Sequence, residues 1–171
     1  MFSDPTVNLS KLGISNGMKI VDLGAGSGFY SIESARKVGP SGRVYAIDVQ
    51  KEILERIRTA GAAQGLRNIE VIWANAEKIG GTKLRESIAD RVIASNILFQ
   101  IEKPEEFALE IKRLLKPNGK VMVIDWNAGS PLSPKTVFSS TKAQMLFEKA
   151  GLKLEQSFVA GDHHYGLILA K

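Results

Sequence analysis

Residues 19 to 30 read Lys-Ile-Val-Asp-Leu-Gly-Ala-Gly-Ser-Gly-Phe-Tyr. An apolar run of strand character carries one acid, Asp22, and gives way to three alternating glycines, Gly24, Gly26 and Gly28. A helical pattern starts at once behind them. Glycine reaches backbone angles closed to other residues and lets a ligand lie directly on the main chain. The next helix turns its unpaired N–H groups, and the positive end of its dipole, toward that ligand. A strand, a glycine turn and a helix in this order fit an open α/β sheet, with a nucleotide-like or carboxylate-bearing molecule on the turn.

The rest of the chain repeats the alternation. Met18–Leu23 is expected as the first strand, apolar with little polar alternation, as in a parallel strand buried on both faces. Helices are expected over Gly28–Val38, Lys51–Gln64, Pro104–Leu115 and Thr141–Ala150. Strands are expected over Arg43–Asp48, Asn68–Ala74, Asp90–Ser95 and Lys120–Asp125. Pro104 suits the first position of its helix, and Lys116-Pro117-Asn118-Gly119 reads as the turn that ends it. Residues 1–17 form a short lead-in, residues 78–87 a loop with room for a short helix, and residues 126–140 a polar loop. Two β-like runs close the chain, Leu152–Ala160 and His164–Ala170, separated by Gly161-Asp162-His163 and therefore an antiparallel hairpin. The expected fold is α/β: a doubly wound, Rossmann-like, mostly parallel seven-stranded sheet, helices on both faces, and a C-terminal antiparallel hairpin strand. With 171 residues it forms a single domain over 1–171. In such sheets the ligand lies beyond the carboxyl ends of the strands, which brings Asp22 to Gly28, Asp48, Asn75, Ser95, Asn96 and Asp125 to one edge, together with the hairpin turn.

Composition removes several chemistries. There is no cysteine, so disulfides, thiolate metal sites and thiol nucleophiles are excluded; this fits a reducing, cytoplasmic setting. Met1-Phe2-Ser3-Asp4-Pro5 lacks a basic region followed by an apolar run, so no secretory leader is expected, and no apolar run reaches a membrane span. The formal charge of +5 invites an anionic partner. The basic residues are scattered beside Glu, as in Lys51-Glu52 and Glu55-Arg56, without the basic and aromatic interleaving that binds single strands, so nucleic acid is disfavoured. Two adjacent histidines and one Asp do not make a metal-ligand spacing, and no metal is expected.

Asp48 ends the second strand, twenty residues after Gly28, where a carboxylate can accept two hydrogen bonds from ribose hydroxyls. That fits either a dinucleotide or an adenosine-bearing sulfonium. Three features separate them: the Gly24-x-Gly26-x-Gly28 spacing behind Asp22, the Asn75-Ala76-Glu77 end of the third strand, able to bond a base edge, and the closing hairpin. Together, Val21 to Gly28, Ala46-Ile47-Asp48-Val49, Ala89-Asp90-Arg91-Val92 and Leu115 to Lys120 resemble the class I S-adenosylmethionine-dependent methyltransferases, from about Met18 to Lys171. The likeness is greatest to the small ubiquinone/menaquinone-biosynthesis type. The resemblance implies methyl transfer from S-adenosyl-L-methionine to a small-molecule acceptor. It implies that the main chain of Gly24, Ala25 and Gly26 cradles the methionine part, that Asp22 helps hold its ammonium, that Asp48 binds the ribose and Val49 packs on the adenine. It implies that Asn75 and Ala76 read the adenine edge, that the Ser95 carbonyl meets the ammonium, and that Asn96 and Ile97 face the sulfonium. Asn75 stands where the family usually has Asp; an amide oxygen can still accept from the adenine amino group.

Each of these residues also has a structural reading. Asp22 and Asp48 can cap a loop or a helix, Asn75 is common in turns, Asp90 can close a strand start, and Phe29 and Tyr30 serve a pocket or a core equally well. On the acceptor side, His163 and His164 are candidate general bases, with Asn96 and Asp125 as alternatives. Phe2, Phe99, Trp126 and Phe138 suggest a partly apolar acceptor. Two other functions share the fold. One is a nicotinamide-dependent oxidoreductase, disfavoured because no Tyr-x-x-x-Lys stands in a helix. The other is a non-catalytic cofactor- or partner-binding module, which the intact glycine turn and Asp48 argue against. A monomer and a homodimer are both compatible with the sequence.

Overall fold

A computed structural model describes residues 4–171. In chain order it runs α1 (Pro5–Lys11), β1 (Lys19–Leu23), α2 (Phe29–Val38), β2 (Arg43–Asp48), α3 (Lys51–Ala63), β3 (Ile69–Trp73) and β4 (Ala89–Ser95). A 3-10 turn follows at Leu98–Gln100, then α4 (Pro104–Leu114), β5 (Leu115–Trp126), α5 (Ser140–Lys149), β6 (Lys153–Val159) and β7 (His164–Ala170). The seven strands form one sheet in the order β3-β2-β1-β4-β5-β7-β6. The pairs among β1 to β5 are parallel, and β7 runs antiparallel to both neighbours. This is the doubly wound sheet with a hairpin that the alternation predicts. Because β6 reverses β7, it points the same way as β1 to β5. The turn before His164 therefore lies on the carboxyl edge, where His164 pairs with Trp126.

The central strands are apolar on both faces because both are covered, whereas the edge strands β3 and β6 are partly exposed. On one side Phe107, Ile111 and Leu114 of α4 and Phe147 of α5 pack on Val21, Val92, Val123 and Leu167. On the other, Leu9 and Leu12, from α1 and the residue that caps it, join Ala35 and Val38 of α2 on Ile20, Ile93, Met122 and Ile168. Ile57 of α3 packs with Ala25 and Ala46. No helix among the described residues is long and apolar enough to cross a membrane.

Three local expectations change. The lead-in is a helix: Asp4 caps α1 by accepting from the Thr6 and Val7 N–H groups (2.8 and 3.4 Å), and Pro5 occupies its first turn. Seven residues are too few to show a helical period, so the burial of Leu9 and Leu12 against the sheet is what makes it. Residues 78–87 hold turns and no helix. Lys116 to Gly119 are not a separate turn. They lie within β5 as an irregularity in its ladder, between the Ala89–Leu115 and Arg91–Lys120 pairs, with Asn118 at φ 64°. Asp90 closes its strand start as expected, accepting from the Lys19 N–H and pairing with Lys116, each at 2.7–2.8 Å.

The 78–87 turn is shaped from outside. Glu110 of α4 is fully buried and accepts from the Gly80 N–H (2.7 Å), the Thr82 hydroxyl (2.5 Å) and Arg113 (2.7 Å). Burial pushes its carboxyl up, but the bonds from Arg113, Thr82 and Gly80 outweigh that and hold it below the usual range. Replacing Glu110 with Ala leaves the Arg113 cation, the Thr82 hydroxyl and the Gly80 N–H without this partner. A loss of about 3 kcal/mol is expected in urea unfolding, and an unchanged midpoint would show that the turn holds itself.

Candidate functional site

A cleft of about 610 Å³ opens along the carboxyl edge of β1 to β4, within the range of sites for drug-sized ligands. Asp22, Gly24, Ala25, Gly26, Asp48, Val49, Asn75, Ala76 and Ser95 all contribute to its wall, as do Asn96 and Ile97. The parallel register puts them there: Asp22 lies opposite Ala46, Leu23 opposite Ile47, and Asp48 opposite Trp73.

The glycine turn is held by its neighbour strand. The Gly24 and Ala25 N–H groups both donate to the Ile47 carbonyl (2.9 and 3.0 Å), and the Gly26 N–H donates to Asp48 (3.1 Å). Gly24 sits at φ +67°, where a side chain is strained, and a Cβ there would stand 2.4 Å from Ile97 Cδ1 and displace it. Gly28 is not in the wall. It caps α2 at φ +78°, and its Cβ would meet Ile57 at 2.7 Å, so it serves the approach of α3 to α2.

Asp22 is 2% exposed, and Ser31 donates to it at 2.6 Å. Burial pushes its carboxyl up to about 6; Ser31 opposes the shift and Asp48 adds to it. Asp48 also accepts the Gln50 N–H (2.9 Å), so it supports the turn and the start of α3 as well as facing the cleft. Asn75 is exposed, and its side-chain oxygen accepts the Glu77 N–H (2.8 Å). Its turn role is thus realised, with the amide still at the cleft wall.

The acceptor-side candidates separate. Asn96 borders the cleft in a left-handed conformation (φ 54°), its side-chain oxygen buried without a hydrogen-bond partner. Asp125, His163 and His164 are not in the wall. Asp125 is fully buried and accepts the Leu98 and Trp126 N–H groups (both 2.8 Å), which shapes the chain after β4. Burial raises its carboxyl against those bonds. The His163 ring bonds Ser130 (2.9 Å), and its carbonyl accepts the Asn127 N–H (2.8 Å). His164 is buried against Trp126, ring centres 4.2 Å apart, and burial lowers its pKa, with His163 adding to the effect. Phe99, Trp126 and Phe138 are also outside the wall, and Phe2 lies outside the described residues. The apolar groups that border the cleft include Ile47, Val49, Pro5, Phe29, Tyr30, Ile53, Ile97 and Ile101. Pro5 comes from the helix that sequence periodicity does not reveal.

A Rossmann-like sheet with a hairpin, a glycine cradle and two acids at successive strand ends defines the class I methyltransferase architecture. The chain belongs to the methyltransferase-domain family, whose model matches residues 14–163. It is 28% identical over 155 residues to the ubiquinone/menaquinone biosynthesis C-methyltransferase of Hahella chejuensis, covering 90% of this chain and 59% of that one. Against the enzyme of the same description from Pasteurella multocida the identity is 29% over 119 residues, covering 67% and 42%. The chain thus spans about half the length of these curated relatives. Among solved structures, a SAM dependent methyltransferase from Aquifex aeolicus superposes with a TM-score of 0.87 at 29% identity, covering 98% of this chain and 89% of that one. S-adenosylmethionine is the cofactor this family membership assigns, and the cleft suits it in size, in its glycine floor and in its acids, which favour a cationic ligand.

Asp22 provides a test of the site's charge. Its folded-state carboxyl titrates near 6 against 3.8 unfolded. The folded protein therefore holds the proton longer, and stability falls as pH rises through that window. Above pH 6 the cost is about 3 kcal/mol. Asp22→Asn should therefore raise the melting temperature of the ligand-free protein at pH 7–8, with the gain fading below pH 5. A gain that is the same at pH 4 and pH 8 would exclude this cause.

Proposed function

We propose that the protein transfers the methyl group of S-adenosylmethionine to a small-molecule acceptor whose reacting atom supplies its own electron pair, such as an activated ring or enolate carbon. The observation that carries this is the make-up of the cleft wall. Its titratable side chains among the described residues are Asp22, Asp48, Glu77 and Tyr30, and the two histidines stand outside it. A wall rich in carboxylates stabilises a sulfonium and an ammonium; among the described residues it offers no imidazole or amine to take a proton from an unactivated hydroxyl or amine. The description of the curated relatives as C-methyltransferases supports the same reading.

Bound S-adenosylmethionine supplies a methyl group already on a good leaving group. The protein's share is then to position and to exclude water. Gly24 to Gly26 and Asp22 hold the methionine part, Asp48 the ribose, and Val49 with Asn75 and Ala76 the adenine. Asn96, Ile97 and Ile101 border the acceptor's approach. The new bond forms from the acceptor to the methyl carbon, the carbon–sulfur bond breaks onto sulfur, and the acceptor's proton leaves to solvent.

Calorimetry should show S-adenosylmethionine binding in the micromolar range. Gly24→Ala, whose Cβ collides with Ile97, should weaken it by more than tenfold. A panel of phenolic and enolic acceptors should give S-adenosylhomocysteine as product. Binding of a nicotinamide dinucleotide with none of S-adenosylmethionine would overturn the proposal.

A further inference from the structure

The edge strand β3 ends in a tryptophan that is half out of the core. Trp73 is 53% exposed, so burial alone draws on only part of what so large a ring can contribute. In the parallel register it lies opposite Asp48. It shares a face of β3 with Ile69 and Val71, which pack with Ile57 of α3. The ring therefore stands at the carboxyl end of that row, beside the start of α3.

Three contacts fix it there. The indole N–H donates to the Val49 carbonyl at 2.9 Å. The ammonium of Lys51, the first residue of α3, lies over the ring, 4.0 Å from its centre. The Trp73 carbonyl accepts from the Lys83 ammonium at 2.9 Å, and Lys83 belongs to the 78–87 turn that Glu110 shapes. An indole has one N–H to donate, and here it goes to the backbone between β2 and α3.

That connection carries the residues assigned above to the ribose and the adenine. Asp48 is tied on two sides, by the Gly26 N–H on its carboxylate (3.1 Å) and by the Ala74 N–H on its carbonyl (3.2 Å). Val49 follows in the cleft wall, 59% exposed, an apolar surface open in the ligand-free protein. The peptide plane after Val49 sets how that side chain is presented, and Trp73 holds the carbonyl of that plane.

We propose that Trp73 is a positioning residue for the methyl donor: by holding the Val49 carbonyl it presets the Asp48–Lys51 turn, so that Val49 meets the adenine without reordering. This rests on the methyl-donor reading above and adds a residue outside the cleft wall that sets the strength of nucleoside binding. A turn ordered before the ligand arrives need not be ordered by it, and the affinity rises accordingly.

The chain has two tryptophans, Trp73 and Trp126, so Trp126→Phe leaves Trp73 as the sole indole fluorophore. Excited beyond the adenine absorption, its emission should change when S-adenosylmethionine binds, and also with methylthioadenosine, which keeps the nucleoside but lacks the amino-acid part. A ring that serves only to pack on α3 stays silent to both. Calorimetry then compares the wild type with Trp73→Phe, which keeps a ring for Lys51 and removes the N–H. S-adenosylmethionine, S-adenosylhomocysteine and methylthioadenosine should all weaken by the same factor, about fivefold, the scale of one neutral hydrogen bond, with little change in melting temperature. A loss confined to the two ligands that carry the amino-acid part, no loss for any, or silent emission from Trp73 overturns the inference while the methyl-donor reading stands. Failure of methylthioadenosine to bind the wild type does the same, since the nucleoside would then have no hold of its own. No binding of S-adenosylmethionine to the wild type overturns both. If Trp73→Phe does not fold, the emission of the Trp126→Phe protein decides alone.

Discussion

The site depends on one arrangement: the amides of a glycine turn bonded to the end of the next strand. Gly24 and Ala25 share the Ile47 carbonyl, and Gly26 reaches Asp48. Those bonds exist because β1 and β2 run parallel in a register that sets Leu23 opposite Ile47. The turn cannot move relative to β2 without losing them, so the floor of the cleft and the carboxylate beside it form one rigid piece. Rigidity here is preorganisation, and a ligand need not spend binding energy on ordering the loop. The packing on Gly24 belongs to the same arrangement, because Ile97, two residues after β4, lies where a Cβ on residue 24 would stand.

How much of this could be read beforehand follows from the range of each interaction. The glycine spacing, Asp48 and the alternation of strands with helices are local patterns, and the sheet and nine of the cofactor-side residues in the cleft wall follow from them. Gly28 belongs to the same motif, yet its lack of a side chain serves the contact with Ile57, a partner almost thirty residues away. The helix α1 was invisible for a related reason. Seven residues carry no period, and what holds them is packing on a sheet that forms only with the rest of the chain. Asp125 and the histidines show the limit from the other side. They stand at the correct edge, but the sheet edge is wider than the cleft. Asp125 spends its oxygens on backbone N–H groups after β4, and His164 is turned against Trp126. Position along a strand predicts the edge; only packing tells which residues of that edge face the ligand.

Asp22 illustrates why a site can look strained without its ligand. A buried carboxylate whose proton is held to about pH 6 destabilises the empty fold at neutral pH. Ser31 offsets only part of the cost of burial. An ammonium beside it would reverse the balance, since an opposite charge at close range favours the ionised form. The free energy withheld from folding is then available to binding. By the same exchange, an amide at position 22 would favour the empty fold and give up that gain on binding.

The acids of the wall also bear on turnover. S-adenosylmethionine enters with a net positive charge, and the thioether left behind has none, because the sulfonium is neutralised as the methyl departs. Asp22, Asp48 and Glu77 all border the one cleft, so their attraction is strongest for the reactant and falls on the product.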